Sequence, residues 1–296
     1  MRSSAARFDP RTFAALATTL VFWGSAFPFI RLALASYSPG HLTLFRFLTA
    51  SAAMAVIAVA GRLRAPERRY WPALAGLSCI TVIGYHVLLN FGLVTVQAGV
   101  GSLIVNTAPV FAYIAAGLLL GERVDARGWT GLCVCLAGAA IIAISAGGTL
   151  RFSAGALILV GCAIAWGVSS ALVKPLLKRH SALQVSALSL WFGTVGLLVF
   201  LPGLADAVRH APPAATWSIV YLGVFPIAVC YVTWNYALSR MPATRVVNYT
   251  YLIPLIAVVE AYIMLGEKPR PGSLIGGAIA LGGVALANLG RRPVEP

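Results

Sequence analysis

The chain has 296 residues, 59% of them hydrophobic and only 10% charged, against roughly a quarter charged in an ordinary soluble domain. Its formal net charge of +14 would suggest a nucleic-acid partner in a soluble protein, but a mean hydropathy of +0.87 argues against that class. A hydrocarbon core about 30 Å thick needs about 20 apolar residues per helix, so the composition predicts an all-α membrane protein of about ten spans with no sizeable soluble domain.

In chain order the apolar runs fall at Thr12–Leu34, Pro39–Ala60, Trp71–Val94, Ala98–Leu120 and Arg127–Gly147. Five more follow at Ala154–Lys174, Leu183–Gly203, Trp217–Ser239, Ala243–Leu265 and Pro271–Gly290. Arg2, Arg7 and Arg11 precede the first run as in a signal peptide, but that run is too long and no A-x-A site follows, so it reads as a retained helix. The longest connection, Leu204–Thr216, has 13 residues, too few for a catalytic domain. With the N-terminus placed in the cytoplasm, 16 basic residues fall on that side and 5 opposite, with Arg46 inside a span. The positive-inside rule therefore predicts that both termini are cytoplasmic.

The five cysteines, Cys79, Cys133, Cys135, Cys162 and Cys230, all lie inside spans and read as buried free thiols, with no metal site and no disulfide. Trp71, Trp129 and Trp217 begin spans and read as interface anchors. No nucleotide, zinc or dinucleotide motif is present, and no cofactor is expected.

Laying one half over the other exposes a repeat. Trp23-Gly24 followed by Arg31 recurs as Trp166-Gly167 followed by Lys174, a shift of 143 residues. Pro109 before Leu120-Gly121-Glu122 recurs as Pro254 before Leu265-Gly266-Glu267, and Asn90 recurs as Asn235, a shift of 145. The units are residues 1–147 and 154–290 with five spans each, and an odd number of spans inverts the second unit relative to the first. Inverted repeats with a central site are common among secondary transporters.

The run Trp23-Gly24-Ser25-x-Phe27-Pro28-x-x-Arg31, then Ser38-Pro39, Phe45-Arg46-Phe47 and the duplicated P-to-G-E signatures resemble the drug/metabolite transporter superfamily, in particular its ten-helix EamA carriers, over nearly the whole chain. Within it the chain is most similar to the YddG-type bacterial amino acid exporters. The resemblance implies a multi-pass carrier of the bacterial inner membrane that exports small metabolites, amino acids above all, by alternating access. It implies a small-molecule substrate, surrounding lipid, no nucleic acid, and a monomer with a dimer as the alternative. The halves differ where Arg46 would recur, in a region reading Leu190-Trp191-Phe192.

Polar residues at helical spacing mark an interior face, because facing them to lipid is costly. His86 and Asn90, beside Tyr85, and then Ser102, Asn106 and Tyr113 show this spacing in the third and fourth spans. A shift of 145 places Tyr231 and Asn235 in the corresponding positions, with Trp234 adjacent and Asn248 one turn from Tyr251, which stands in for Asn106. Trp23 and Trp166 lie about 15 Å from either surface, too deep for interface anchors, and suit the walls of a pocket. Interhelical packing is the competing reading for each residue. Pro28, Pro109, Pro226 and Pro254 are candidate bends.

Two intramembrane charges lie at matching depth, Arg46 about 10 Å and Glu260 about 8 Å from the outer surface. They are expected to pair; alternatively Glu260 couples protons, as in a multidrug exporter, and Arg46 binds a substrate carboxylate. The first span has no acidic residue, so the coupling used by four-helix multidrug relatives does not carry over. A single deep arginine also disfavours phosphate esters. Gly117-x-x-x-Gly121 and Gly272-x-x-x-Gly276 read as packing surfaces within the bundle. An intramembrane hydrolase built on Ser102 and His86 is the weaker rival, and the chain reads as a non-enzyme.

Overall fold

The computed structural model describes residues 9–96, 98–122, 125–145, 153–253, 255–256, 259 and 271–288, and all regular structure among them is helical. In chain order the main helices are α1 (Pro10–Leu34), α2 (Pro39–Ala60), α3 (Arg68–Thr95), α4 (Val100–Leu120), α5 (Ala126–Ser145), α6 (Ala154–Leu177), α7 (Ala182–Phe200), α8 (Pro213–Arg240), α9 (Ala243–Asn248) and α10 (Pro271–Asn288), with a short helix at Leu204–His210 between α7 and α8. Among them α1–α4 and α6–α8, seven helices, are long and apolar enough to cross a membrane, while α5 and α10 carry shorter apolar stretches. Glu260, Pro254 and the Leu265-Gly266-Glu267 signature lie outside the described residues.

Local sequence sets the helix starts. Ser38 accepts a hydrogen bond from the His41 N–H ahead of Pro39 at the start of α2, and its counterpart Ser181 forms a capping box with Gln184 at the start of α7. Both caps satisfy backbone donors that have no partner within the helix. α4 ends at Gly121, whose φ of 66° is the left-handed conformation that favours glycine. This residue therefore acts as a helix stop rather than as part of a Gly117–Gly121 packing seam. A tighter seam joins α5 to α10, where a Cβ on Gly131 or Gly138 would come within 2.6 Å of the backbone of Ala287 or Ala280.

The two halves interlock. α1 packs on the later part of α8, α2 on α7 and α8, α3 and α4 on α6, and α5 on α10. Equivalent residues of the two repeats meet each other: Ser51 and Thr194 share a hydrogen bond at 2.8 Å across a separation of 143, and His86 Nε2 lies 3.0 Å from the Tyr231 hydroxyl across 145. Cys135 Sγ likewise donates to the carbonyl of Ala280, 145 residues on.

Other bonds occur twice, once in each half. Asn90 Nδ2 donates to Thr43 Oγ1 at 2.7 Å, and Asn235 Nδ2 donates to Ser186 Oγ at 2.8 Å. Arg31 Nη1 donates to the Val96 carbonyl at 3.3 Å, and Lys174 Nζ to the Met241 carbonyl at 2.6 Å. Residues of α1 and α2 thus map onto the second half by 143, and residues of α3 onward by 145. Applied to α2, this rule makes Ser189 the counterpart of Arg46, one residue before the Leu190-Trp191-Phe192 segment.

α3 and α8 both widen into π-helix, at Cys79–Val87 and Gly223–Val229, in corresponding parts of the two halves. Such segments are rare and tend to mark functional sites. α1 is interrupted at Ser25, between helical segments Pro10–Gly24 and Ala26–Leu34, and the Ser25 hydroxyl shares a 2.6 Å hydrogen bond with Tyr221. Of the expected bends, Pro28 follows this break, Pro226 lies inside the second π segment, and Pro109 opens a fresh helical segment after Thr107.

Candidate functional site

Two cavities lie between the halves. The first has about 680 Å³ of empty space, counting its mouth, and is lined by Trp23, Phe27 and Ile30 of α1, Arg46 of α2, Tyr85 and His86 of α3, Asn106 of α4, and Trp166, Pro226 and Tyr231 of the second half. The second, about 370 Å³, is lined by Leu77 and Thr81 of α3, Ser169, Ser170 and Val173 of α6, Ser189 of α7, and Trp234, Asn235 and Leu238 of α8. Trp166 and Tyr231 line both.

An aromatic knot separates them. The Trp23 and Trp166 ring centroids are 5.1 Å apart at 78°, Trp23 and Trp234 are 4.9 Å apart, and Trp166 and Trp234 are 5.6 Å apart. Tyr85 packs on Trp166 at 4.8 Å and on His86 at 4.7 Å. Trp23 is held in place because its indole N–H donates to the Pro226 carbonyl at 2.9 Å. That carbonyl lies in the π segment, where the wider turn and the proline disturb the regular helical ladder.

Arg46 is 2% exposed, and its Nη1 donates to Asn90 Oδ1 at 3.3 Å while its Nε has no partner among the described residues. No acidic side chain pairs with it among the described residues, and the expected partner Glu260 lies outside them. A buried guanidinium whose described partners are neutral favours an anionic ligand from the cavity it lines.

The sequence-selected residues divide into four groups. Trp23, Tyr85, His86, Asn106 and Arg46 line the first cavity, Trp234 and Asn235 the second, and Trp166 and Tyr231 both. Asn90 is fully buried between Arg46 and Thr43, off the cavity surface. Asn248 accepts from the Tyr113 hydroxyl at 2.7 Å, and Tyr251 is buried with its hydroxyl unpaired among the described residues; neither lines either of these two cavities. Sequence reading missed Phe27, Ile30, Thr81, Ser169, Ser170 and Ser189. Shifting Trp23, Phe27, Ile30 and Arg46 by 143 gives Trp166, Ser170, Val173 and Ser189, so the repeat itself held that signal. The hydrolase pair is not assembled: His86 Nε2 faces Tyr231 and its Nδ1 has no partner among the described residues.

Contacts between helix ends and the neighbouring loops identify one end of the bundle. Tyr236 donates to Asp9, Gln184 to the Arg64 carbonyl and Arg179 to the Tyr70 hydroxyl. At the same end Glu122 of the first half accepts from the N–H groups of Ala243 and Thr244 at 3.0 and 3.2 Å and from the Thr244 hydroxyl at 2.9 Å. The second cavity lies toward this arginine-rich end, and the first toward the end where Tyr37 meets Thr216 and His41 meets Pro202. Outside the spans, the Thr12 hydroxyl and then the Arg11 N–H hold the Asp9 carboxyl below its ordinary value.

The EamA-like transporter family model matches residues 12–144 and again 153–289. The chain belongs to the EamA-like transporter family. A protein of Streptantibioticus cattleyicolor described as a probable terminal-alkyne amino-acid exporter is 42% identical over 281 residues, covering 94% of each chain. The uncharacterized transporter YdfC of Bacillus subtilis is 36% identical over 267 residues, covering 90% of this chain and 87% of its own. A solved crystal structure 21% identical shares the fold, with a TM-score of 0.74 over 94% of this chain and 96% of that one. This EamA chain is therefore a multi-pass membrane transporter of a small molecule, with the two-repeat fold of its family.

Proposed function

We propose that the chain is a ten-helix carrier of the bacterial inner membrane, built from two inverted five-helix units at residues 1–147 and 154–290 with both termini cytoplasmic. It exports neutral amino acids with apolar or aromatic side chains by alternating access. Arg46 carries this reading: a buried cation without an acidic partner among the described residues, on a cavity whose apolar and aromatic walls include Trp23, Tyr85, Trp166, Phe27 and Ile30 and whose other polar groups, His86, Asn106, Tyr231 and Thr250, are neutral side chains. That lining suits a carboxylate attached to an apolar body. The amino-acid exporter name borne by the relative from Streptantibioticus cattleyicolor supports the same class. The excess of basic residues at the Arg64–Arg179 end supports a cytoplasmic second cavity and an outward first cavity. A site with one fixed charge and aromatic walls holds the substrate loosely enough to release it.

Purified protein in liposomes should accumulate labelled phenylalanine against unlabelled exchange substrate, and Arg46→Gln should raise KM by about tenfold or more, the loss of a charged hydrogen bond. No uptake of any amino acid by the unsubstituted protein refutes the reading. Stimulation by an imposed pH gradient that Glu260→Gln abolishes would establish proton coupling; insensitivity to the gradient would establish facilitated diffusion.

A further inference from the structure

We infer that the second cavity is a separate binding station for a primary ammonium group, complementary to the carboxylate station at Arg46. The inference rests on the reading that both cavities belong to one pathway for amino acids. Its basis is the chemistry that the repeat exchanges between equivalent positions. Ala26, Phe27 and Arg46 of the first cavity become Ser169, Ser170 and Ser189 in the second, and Leu89 becomes Trp234. At these four positions three apolar side chains and one cation are thus replaced by three hydroxyls and an indole.

The direction of the hydroxyl bonds decides what those groups can bind. Ser169 and Ser170 both donate to the Trp166 carbonyl at 2.9 Å, and Thr81 donates to the Leu77 carbonyl. A hydroxyl has one proton, so each of the three offers the cavity only acceptor lone pairs. Ser189 is 4% exposed, and its Oγ, without a partner among the described residues, is free to accept as well. No cationic side chain lines this cavity among the described residues. Trp166 and Trp234, with ring centroids 5.6 Å apart, add the π surfaces that attract an ammonium group.

In the first cavity the position equivalent to Ser189 offers the opposite polarity, the Arg46 guanidinium with donors and no acceptors, among the neutral polar groups of His86, Asn106 and Thr250. An amino acid moving from the second cavity to the first is held by its ammonium group before the Trp166–Tyr231 wall and by its carboxylate beyond it. The molecule therefore crosses carboxylate first.

The test is isothermal titration of the purified full-length protein in detergent with two half-substrates, 2-phenylethylamine and 3-phenylpropanoate. Both should bind, and saturation with one should leave the affinity for the other unchanged. Ser169→Ala with Ser170→Ala should weaken the amine by about tenfold and the carboxylate by less than about twofold, whereas Arg46→Gln should do the reverse. Rescue by Ser170→Thr, which restores one hydroxyl, separates lost recognition from misfolding, which weakens both probes. Failure of the amine to bind, competition between the probes, or equal weakening of both by the serine pair overturns the inference. Amine binding without carboxylate binding would leave it standing and refute the role given to Arg46.

Discussion

Asn90 and Asn235 occupy equivalent positions and make the same bond, each donating its side-chain amide to a hydroxyl on the second helix of its own repeat, Thr43 or Ser186. Only Asn90 also accepts from a charge, Arg46 Nη1 at 3.3 Å. Loss of its carbonyl strips a buried guanidinium of its side-chain acceptor, and loss of Asn235 removes one neutral bond. Asn90→Ala should therefore cost about 2–3 kcal/mol and Asn235→Ala about 1 kcal/mol, measured as thermal unfolding in detergent. Equal costs would show that Asn90 does not support Arg46.

Trp166 touches Trp23, Tyr85 and Trp234 and forms part of both cavities. Trp166→Ala should destabilise the protein by about 3–5 kcal/mol, the usual range for a truncated buried aromatic. It should also abolish transport, while Trp166→Phe should retain most of the stability. A stable, fully active alanine variant would show that the aromatic knot is not a barrier.

Glu122 receives two backbone N–H groups and a hydroxyl from the start of α9, closing the arginine-rich end across the two halves. Glu122→Gln retains the shape and loses the charge on which these bonds depend. In a cysteine-free background carrying Ser170→Cys, it should speed labelling by a water-soluble maleimide about tenfold, equivalent to about 1.4 kcal/mol of lost closure. Unchanged labelling would show that the contact does not hold this end shut.

Asp9 caps α1, accepting from Thr12 and Arg11, and its carboxyl is held below the ordinary value of 3.8. A carboxyl whose titration is depressed by folding stabilises the folded state above that ordinary value and loses the contribution as pH falls through its own lowered value. The acid limb of the pH–stability curve should therefore be shallower in Asp9→Asn, whose neutral amide does not titrate. Superimposable curves would remove Asp9 from acid unfolding.

The repeat was legible because tryptophan, asparagine and the Pro-to-Gly-Glu spacing survive in both halves, and the deep tryptophans were legible because a polar-tipped ring is out of place in mid-bilayer. Asn90 was misplaced because its four-residue spacing from His86 was read as one α-helical turn. The π segment Cys79–Val87 ends between them, and its wider turn rotates Asn90 off the cavity face toward α2. No residue type announces a π turn. Ser189 was missed because the shift changes from 143 to 145 between the second and third helices of each repeat, so a single offset points past it. Ser169 and Ser170 are small residues in an apolar run with no polar spacing to mark them; only the direction of their bonds shows them as acceptors.

Trp166 and Tyr231 belong to both cavities, whereas Arg46 and Ser189 belong to one each. A change at either shared residue alters two binding steps together, so natural or selected variants with new substrate ranges should preserve this pair. Diversification should concentrate at positions 46 and 189, where one step can be retuned while the other remains intact.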